Sequence, residues 1–289
     1  MKICDAHTDF LTEIKDKEKR EDYVKSICGV VDVVSCAVFT TNSTISVNDV
    51  ENFKLELDYY NKKYKTKLLL SIEDMGFIKN EQDLYKLIEL KPISITLTWN
   101  NQNQFAGGAD TNIGLTKLGI KTIKTLEANN VLIDTAHLSR KAFYEFAKIT
   151  TKPIYNSHSN VNQLYNHKRN LTNNQIEKIV KSGGFLGLTF YKKFISSKNI
   201  SLKDVAIQFD YLIKKFGYKN FGLGTDLFGI EQQFLPKDFK NYADINQLKK
   251  ELKKLNYSNK VINAIIYKNY KNFLKITNCL MLTNKKNML

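Results

Sequence analysis

Short apolar or β-branched runs recur along the chain, each followed by a longer stretch whose apolar residues return every three or four positions. Read as strands, the runs are Lys2–Ala6, Val33–Thr40, Leu68–Ile72, Ile93–Thr98, Val131–Thr135, Ile154–Ser157, Phe185–Phe190 and Phe221–Thr225. Among the intervening stretches, Val50–Tyr64, Gly114–Asn129, Arg140–Thr150, Asn173–Ser182 and Leu202–Phe216 carry the helical period. Strand followed by helix, repeated about eight times in 289 residues, is the mark of βαβ units with right-handed crossovers. That count predicts an α/β fold, a closed (β/α)8 TIM barrel, over an open doubly wound sheet. The tail, Asp244–Ile276, reads as two further helices packed on the outside. With 3 Pro and no Ser/Gly-rich stretch, nothing marks a linker, and residues 1–289 are expected to form a single barrel domain.

Polar residues break this pattern at one kind of place. A buried parallel strand should be almost wholly apolar, yet the first runs into Asp5-Ala6-His7-Thr8-Asp9 and the third into Glu73-Asp74. The fifth runs into His137, the sixth into Ser157-His158-Ser159-Asn160, and the last into Thr225-Asp226. Strand C-termini converge on the catalytic face of a barrel. In an extended strand the i, i+2 spacing puts His7 and Asp9 on one side, where imidazole and carboxylate together suit a zinc ion. His137 and His158, from neighbouring strands, could hold a second ion. Glu73 could bridge the two, giving metals ~3.5–4 Å apart with a shared water or hydroxide. Singly, each residue has a plainer reading: a hydrogen-bonded strand-end His, an ion-paired Glu73, a helix-capping Asp226. The joint placement at successive strand ends is what argues for a metal centre. His167, the remaining one of 4 histidines, reads either as a surface residue of the loop Asn166–Arg169 or as a group supporting the site.

Composition narrows the class. The charge sum is 44 − 29 = +15, supplied almost entirely by scattered Lys, which reads as a solvated surface and not a nucleic-acid footprint. No run of ~18 apolar residues suggests a membrane span, and MKICDAHTDF has no signal-peptide pattern. Cys4, Cys28, Cys36 and Cys279 are neither paired as CxxC nor dense, as expected of reduced, mostly buried thiols in the cytoplasm.

The ordered motifs resemble one family. Asp5-Ala6-His7-Thr8-Asp9, Ile72-Glu73, Leu97-Thr98-Trp99-Asn100 and Ile133-Asp134-Thr135-Ala136-His137-Leu138-Ser139 open the set. Pro153 through Ser157-His158-Ser159-Asn160, then Arg169-Asn170-Leu171-Thr172, continue it. Gly184-Phe185-Leu186-Gly187 through Phe190-Tyr191 and Gly222-Leu223-Gly224-Thr225-Asp226 complete it. In this order, over roughly residues 3–275, the chain is similar to the membrane (renal-type) dipeptidases, peptidase family M19, and most to their soluble bacterial branch. The resemblance implies two Zn²⁺ per chain, with His7 and Asp9 on one, His137 and His158 on the other, and Glu73 bridging and catalytic. It implies that Asp226 handles protons as a catalytic, substrate-facing group, that Arg169 holds the terminal carboxylate, and that Trp99 and Asn100 face substrate. The implied substrates are dipeptides, L,D-dipeptides among them. Related enzymes are often dimers, so a second copy of the chain is a candidate partner.

Three positions depart from the family pattern. Trp99 stands where mammalian-type members carry a substrate-contacting His, as Trp-Asn commonly does in soluble bacterial relatives. The usual Asp-Phe-Asp-Gly reads Asp226-Leu227-Phe228-Gly229, and the glycine pair after the bridging Glu is Asp74-Met75. These leave open a binuclear hydrolase of another amide, lactone or ester. A metal-free pseudoenzyme and a basic nucleic-acid-binding protein are the remaining readings. The signatures GxxxxGK[ST], GxSxG, HExxH and GxGxxG are absent.

Overall fold

The structure, a computed structural model, describes residues 2–40 and 45–277. Eight parallel strands close into a barrel in chain order: β1 Ile3–Thr8, β2 Val31–Phe39, β3 Lys67–Glu73, β4 Ser94–Thr96, β5 Leu132–Asp134, β6 Tyr155–Asn156, β7 Phe185–Leu188 and β8 Phe221–Leu223. The seam is the β1–β8 pairing, with Asp5 opposite Leu223. Several strands end sooner than their apolar runs. β6 stops at Asn156 because Ser157 N turns from the ladder to the Asp134 side chain, 2.9 Å away. Short strands free the following residues to bend over the barrel mouth.

The outer ring comprises α1 Phe10–Glu13, α2 Lys17–Ile27, α3 Val47–Lys63, α4 Glu81–Glu89, α5 Lys117–Ala128, α6 Arg140–Ile149, α7 Asn173–Lys181 and α8 Leu202–Phe216. Of these, α2 has the weakest sequence signal, since KEKREDYVKSI offers few apolar positions. Asp16 caps it by accepting from Glu18 N and Lys19 N. Arg20, which looks like a surface residue, is buried in a two-pronged pair with Glu56 of α3, at 2.7 and 2.8 Å. A planar fork against a carboxylate is what lets a guanidinium sit there.

The tail corrects one expectation. α9 Ile245–Lys254 packs outside, against α8. The next helix does not: α10 Asn259–Asn263 runs through a π-turn, Ala264–Lys268, into α11 Asn269–Ile276, which seals the barrel's lower end. Tyr270, Phe273 and Leu274 pack with Cys4, Val33, Leu69, Ile93, Leu132, Tyr155 and Phe185 as one interior layer. Tyr270 and Tyr155 rings stack with centroids 6.2 Å apart, and the Tyr270 hydroxyl bonds both Ser35 and Tyr155. Barrel interiors need filling and buried hydroxyls need partners, and this helix meets both needs. Tyr270→Ala should cost about 3–5 kcal/mol by analogy with large aromatic truncations, and Tyr270→Phe about 1 kcal/mol. Denaturant titration of both variants checks this; equal losses would mean the ring's packing is not what matters.

Cys4, Cys28 and Cys36 are free thiols, Cys4 and Cys36 buried; Cys279 lies outside the described residues. No described helix is long and apolar enough to cross a membrane.

Candidate metal centre

His7, Asp9, Glu73, His137, His158, Arg169 and Asp226 all come to the C-terminal mouth of the barrel. How they get there differs from simple strand alternation. β1 carries register irregularities and ends at Thr8. Asp9 is the capping residue of α1, with φ −109° and ψ 16°, and its side chain makes no capping bond. Its carboxylate therefore turns inward from a helix start and not from an extended strand. His137 (φ 69°), Asp226 (φ 63°) and Asp74 (φ 70°) adopt left-handed backbone. Such conformations are uncommon outside glycine and collect at functional sites. Here they swing strand-end side chains over the axis.

Glu73 occupies the centre. Its Oε2 lies 3.1 Å from His7 Nε2, and its Oε1 2.8 Å from His137 Nε2. His137 Nε2 is in turn 2.8 Å from His158 Nε2. His7 Nε2 is 3.3 Å from Asp9 Oδ2 and 3.9 Å from Asp226 Oδ1. Among the described residues, two sets offer atoms within 4.8 Å of one another: His7, Glu73 and His158, and His7, Asp9 and Asp226.

The electrostatics divide by position. Burial, then the neighbouring Arg169, push His137 down to about 4, and burial holds His158 well below the imidazole range. Burial opposes charge on His7 too, but Asp9 and Glu73 outweigh it and raise its pKa. Burial raises Asp9 to about 6, with Glu73 adding to the rise. Asp226 is raised well above the carboxylate range by burial and by Asp9 and Glu73. Glu73 resists its burial and stays low because His7 and His137 face it.

The chemistry of these residues fits divalent-cation binding. Asn100 Oδ1 lies 2.9 Å from His137 Nδ1. With that nitrogen donating, Nε2 presents a lone pair to a carboxylate oxygen 2.8 Å away. A proton or a metal cation between them removes the repulsion, and burial disfavours the proton. Neither buried oxygen of Asp9 receives a hydrogen bond of good geometry, unusual for a buried carboxylate unless a cation supplies the partner. At Gly229 a Cβ would stand 2.4 Å from Asp9 Oδ2 and 2.5 Å from Asp226 Oδ1. Glycine there keeps open the space that both carboxylates face. Imidazole and carboxylate without thiolate is a zinc-type donor set.

Around this centre, Trp99 stacks on His137 with ring centroids 5.8 Å apart. Asn100, expected to face substrate, spends its side-chain oxygen on His137. Arg169 is buried, its guanidinium over the Phe194 ring at 5.5 Å and its Nε without a partner. Burial lowers its pKa to about 10, so it stays charged. His167 supports this arginine, since its Nδ1 accepts from Arg169 N at 3.1 Å and its ring packs on Phe194. Asp74 Oδ1 accepts from Gly76 N and from Asn103 Nδ2, tying the end of β3 to the loop that carries Trp99. Sequence reasoning gave no role to Ser157, whose hydroxyl sits between two imidazoles. The only available signal was its place in Ser157-His158-Ser159-Asn160.

A profile described as membrane dipeptidase, peptidase family M19, matches residues 14–287. An uncharacterized Klebsiella pneumoniae protein from the pqqA 5′ region is 32% identical over 69% of this chain and 78% of its own length. An uncharacterized dipeptidase of Schizosaccharomyces pombe, C965.12, is 30% identical over 60% of this chain, but the match spans only 43% of that protein. In fold, the chain is similar to a metallo peptidase from Rhodobacter sphaeroides crystallised with a phosphinate mimic of L-Ala-D-Ala. There the TM-score is 0.82 at 18% identity, over 96% of this chain and 99% of that one.

Proposed function

Because the chain belongs to the membrane dipeptidase family, peptidase family M19, we propose that it is a zinc-dependent dipeptidase using a binuclear centre, with L,D-dipeptides among its substrates. The observation that carries this reading is the meeting of two bare-sided imidazoles, His137 and His158, with His7, Asp9 and Glu73 beside a buried arginine with a spare donor. His7 and Asp9 would hold one ion, His137 and His158 the other, and Glu73 both. Bound zinc supplies Lewis acidity and brings water's pKa from 15.7 toward about 7.

The chain's own groups do the rest. Arg169 grips the substrate's terminal carboxylate through its free Nε edge, and Phe194 fixes the plane of the fork. That anchor sets how far the scissile bond lies from the wall and limits substrates to short peptides. Asp226, whose proton affinity is raised by burial and by Asp9 and Glu73, takes a proton from the attacking water and returns it to the departing amine. Trp99, flat against His137, covers the opposite side of the mouth and excludes water from it.

Elemental analysis and a panel of L,L- and L,D-dipeptides on one purified sample test the reading. About two zincs per chain and turnover lost to chelator are expected. Two zincs with no dipeptide turned over would move the substrate to another amide, and no metal with no turnover would end the proposal. Arg169→Ala should raise KM about 10–100-fold, the value of a charged hydrogen-bonded contact, with a smaller change in kcat. An unchanged KM would remove Arg169 from the carboxylate.

A further inference from the structure

We propose that Ser157 is a positioning residue shared by both halves of the metal centre, one hydroxyl that aims an imidazole from each. The inference rests on the reading of His7 and His158 as ligands. Ser157 Oγ lies 2.8 Å from His158 Nδ1 and 3.4 Å from His7 Nδ1. The two rings are close, with centroids 4.0 Å apart and planes at 43°. Ser157 is also tied to the Asp134 carboxylate, through its backbone N–H at 2.9 Å. That carboxylate also accepts from Ala136 N at 3.0 Å.

A hydroxyl has one hydrogen and two acceptor sites. A ring that offers Nε2 to a cation carries its hydrogen on Nδ1, so the two lone pairs of the Ser157 hydroxyl match two N–H donors. The donors in reach are the Nδ1–H groups of His7 and His158. Each ring is thereby aimed with Nε2 toward the ion site, where those nitrogens face Glu73, Asp9 and His137. The partner of the non-ligating nitrogen sets ring orientation and ligand basicity. His137 has a separate partner in Asn100, so Ser157 serves one ligand of each ion and Asn100 a single ligand.

The fold builds a notch for this residue. A Cβ on Gly187 would lie 2.0 Å from the Ser157 carbonyl oxygen, and one on Gly224 would lie 1.9 Å from it. Only with glycine at both places, on β7 and just beyond β8, can the backbone of Ser157 lean far enough inward. Ser159 N then returns to Gly187 O at 3.0 Å, holding the segment on both sides of His158.

Competition with a chelator of known zinc affinity, on the intact protein, reads the two binding steps. Ser157→Ala should weaken both, by about 10–100-fold each as for other outer partners of metal ligands, and Asn100→Ala only one. In the zinc-free protein, imidazole ¹⁵N shifts should show His158 as the Nδ1–H tautomer in the wild type and as a mixture in Ser157→Ala. A purely structural role would not change that tautomer. Should Ser157→Ala fail to fold, Asp134→Asn serves. The amide weakens the hold on Ser157 N, so the hydroxyl should shift from both rings and His158 should lose its fixed tautomer. If the wild type takes up two zincs and the variant binds both unchanged, or weakens one step alone, the shared role of Ser157 is wrong and the dipeptidase reading stands. A wild type that takes up no zinc overturns the reading on which the inference rests.

Discussion

If the proposed binuclear centre is right, Glu73→Gln should leave a folded barrel that binds one zinc where the wild type binds two and has lost nearly all turnover. The carboxylate is the one group that faces both imidazole sets, through Oε2 to His7 at 3.1 Å and through Oε1 to His137 at 2.8 Å. An amide of the same shape keeps one acceptor oxygen. Its NH2 must then face an Nε2 meant for a cation, so one ion loses a ligand and the remaining charge balance shifts by a full unit. Metal-assisted stabilisation of developing charge is worth several kcal/mol, so a fall in kcat of roughly 10³-fold or more is expected. The strand should persist, because the β2–β3 ladder uses only the backbone at Phe39 and Glu73. Metal analysis, circular dichroism and dipeptide kinetics on one preparation decide it. A Gln variant with two zincs and full activity would remove Glu73 from the bridge.

Asp5→Ala is expected to be the most damaging change away from the mouth. Asp5 is fully buried one layer below His7, and its carboxylate accepts from Thr225 N at 2.9 Å, Tyr242 OH at 2.7 Å and His7 N at 3.3 Å, and from the Thr225 hydroxyl. It thus ties β1 across the seam to the residue before Asp226, and to Tyr242 in the segment leading to α9. Truncation would strand these donors without water, at about 1–3 kcal/mol each. Relief of the carboxylate's own burial cost offsets part of that, leaving a net loss of about 3 kcal/mol or more. Asp5→Asn, which keeps the shape and one acceptor, should lose less. Urea titration gives the stabilities, and kcat should fall for Asp5→Ala because His7 N and Thr225 N both lose their anchor. A loss under about 0.5 kcal/mol, the range of neutral surface changes, would show that Asp5 is not what joins the seam.

Much of the architecture was readable in the chain because parallel barrel strands are apolar on both faces. A His or carboxylate at the end of such a run is therefore conspicuous, as at His7, Glu73, His137, His158 and Asp226. Strand ends were read too long where side chains replace the ladder, as Asp134 does for Ser157 N. α2 escaped notice because Arg20 lies buried against a carboxylate from α3, a distant partner that no local period reveals. Asp9 was placed on the right side for the wrong local reason, since the chain has already begun to coil there. The reach of Asn100 to His137, and of Ser157 to two rings, depends on loops meeting across the mouth. Spacing within one segment carries no trace of that.

The plug formed by α11 bears on how the chain comes to be folded at all. Tyr270 meets Ser35 across 235 positions, and the β1–β8 seam joins positions almost as far apart. Contacts of such separation must wait for nearly the whole chain and are slow to form. During synthesis the strands leave the ribosome well before the helix that closes their lower end. A nascent chain that stops short of Tyr270 therefore carries an uncovered apolar ring of Val33, Leu69, Leu132 and Phe185, the kind of surface on which unfinished chains aggregate or are bound by chaperones. Emergence of α11, and not completion of the strands, is the step at which this barrel becomes safe from its neighbours.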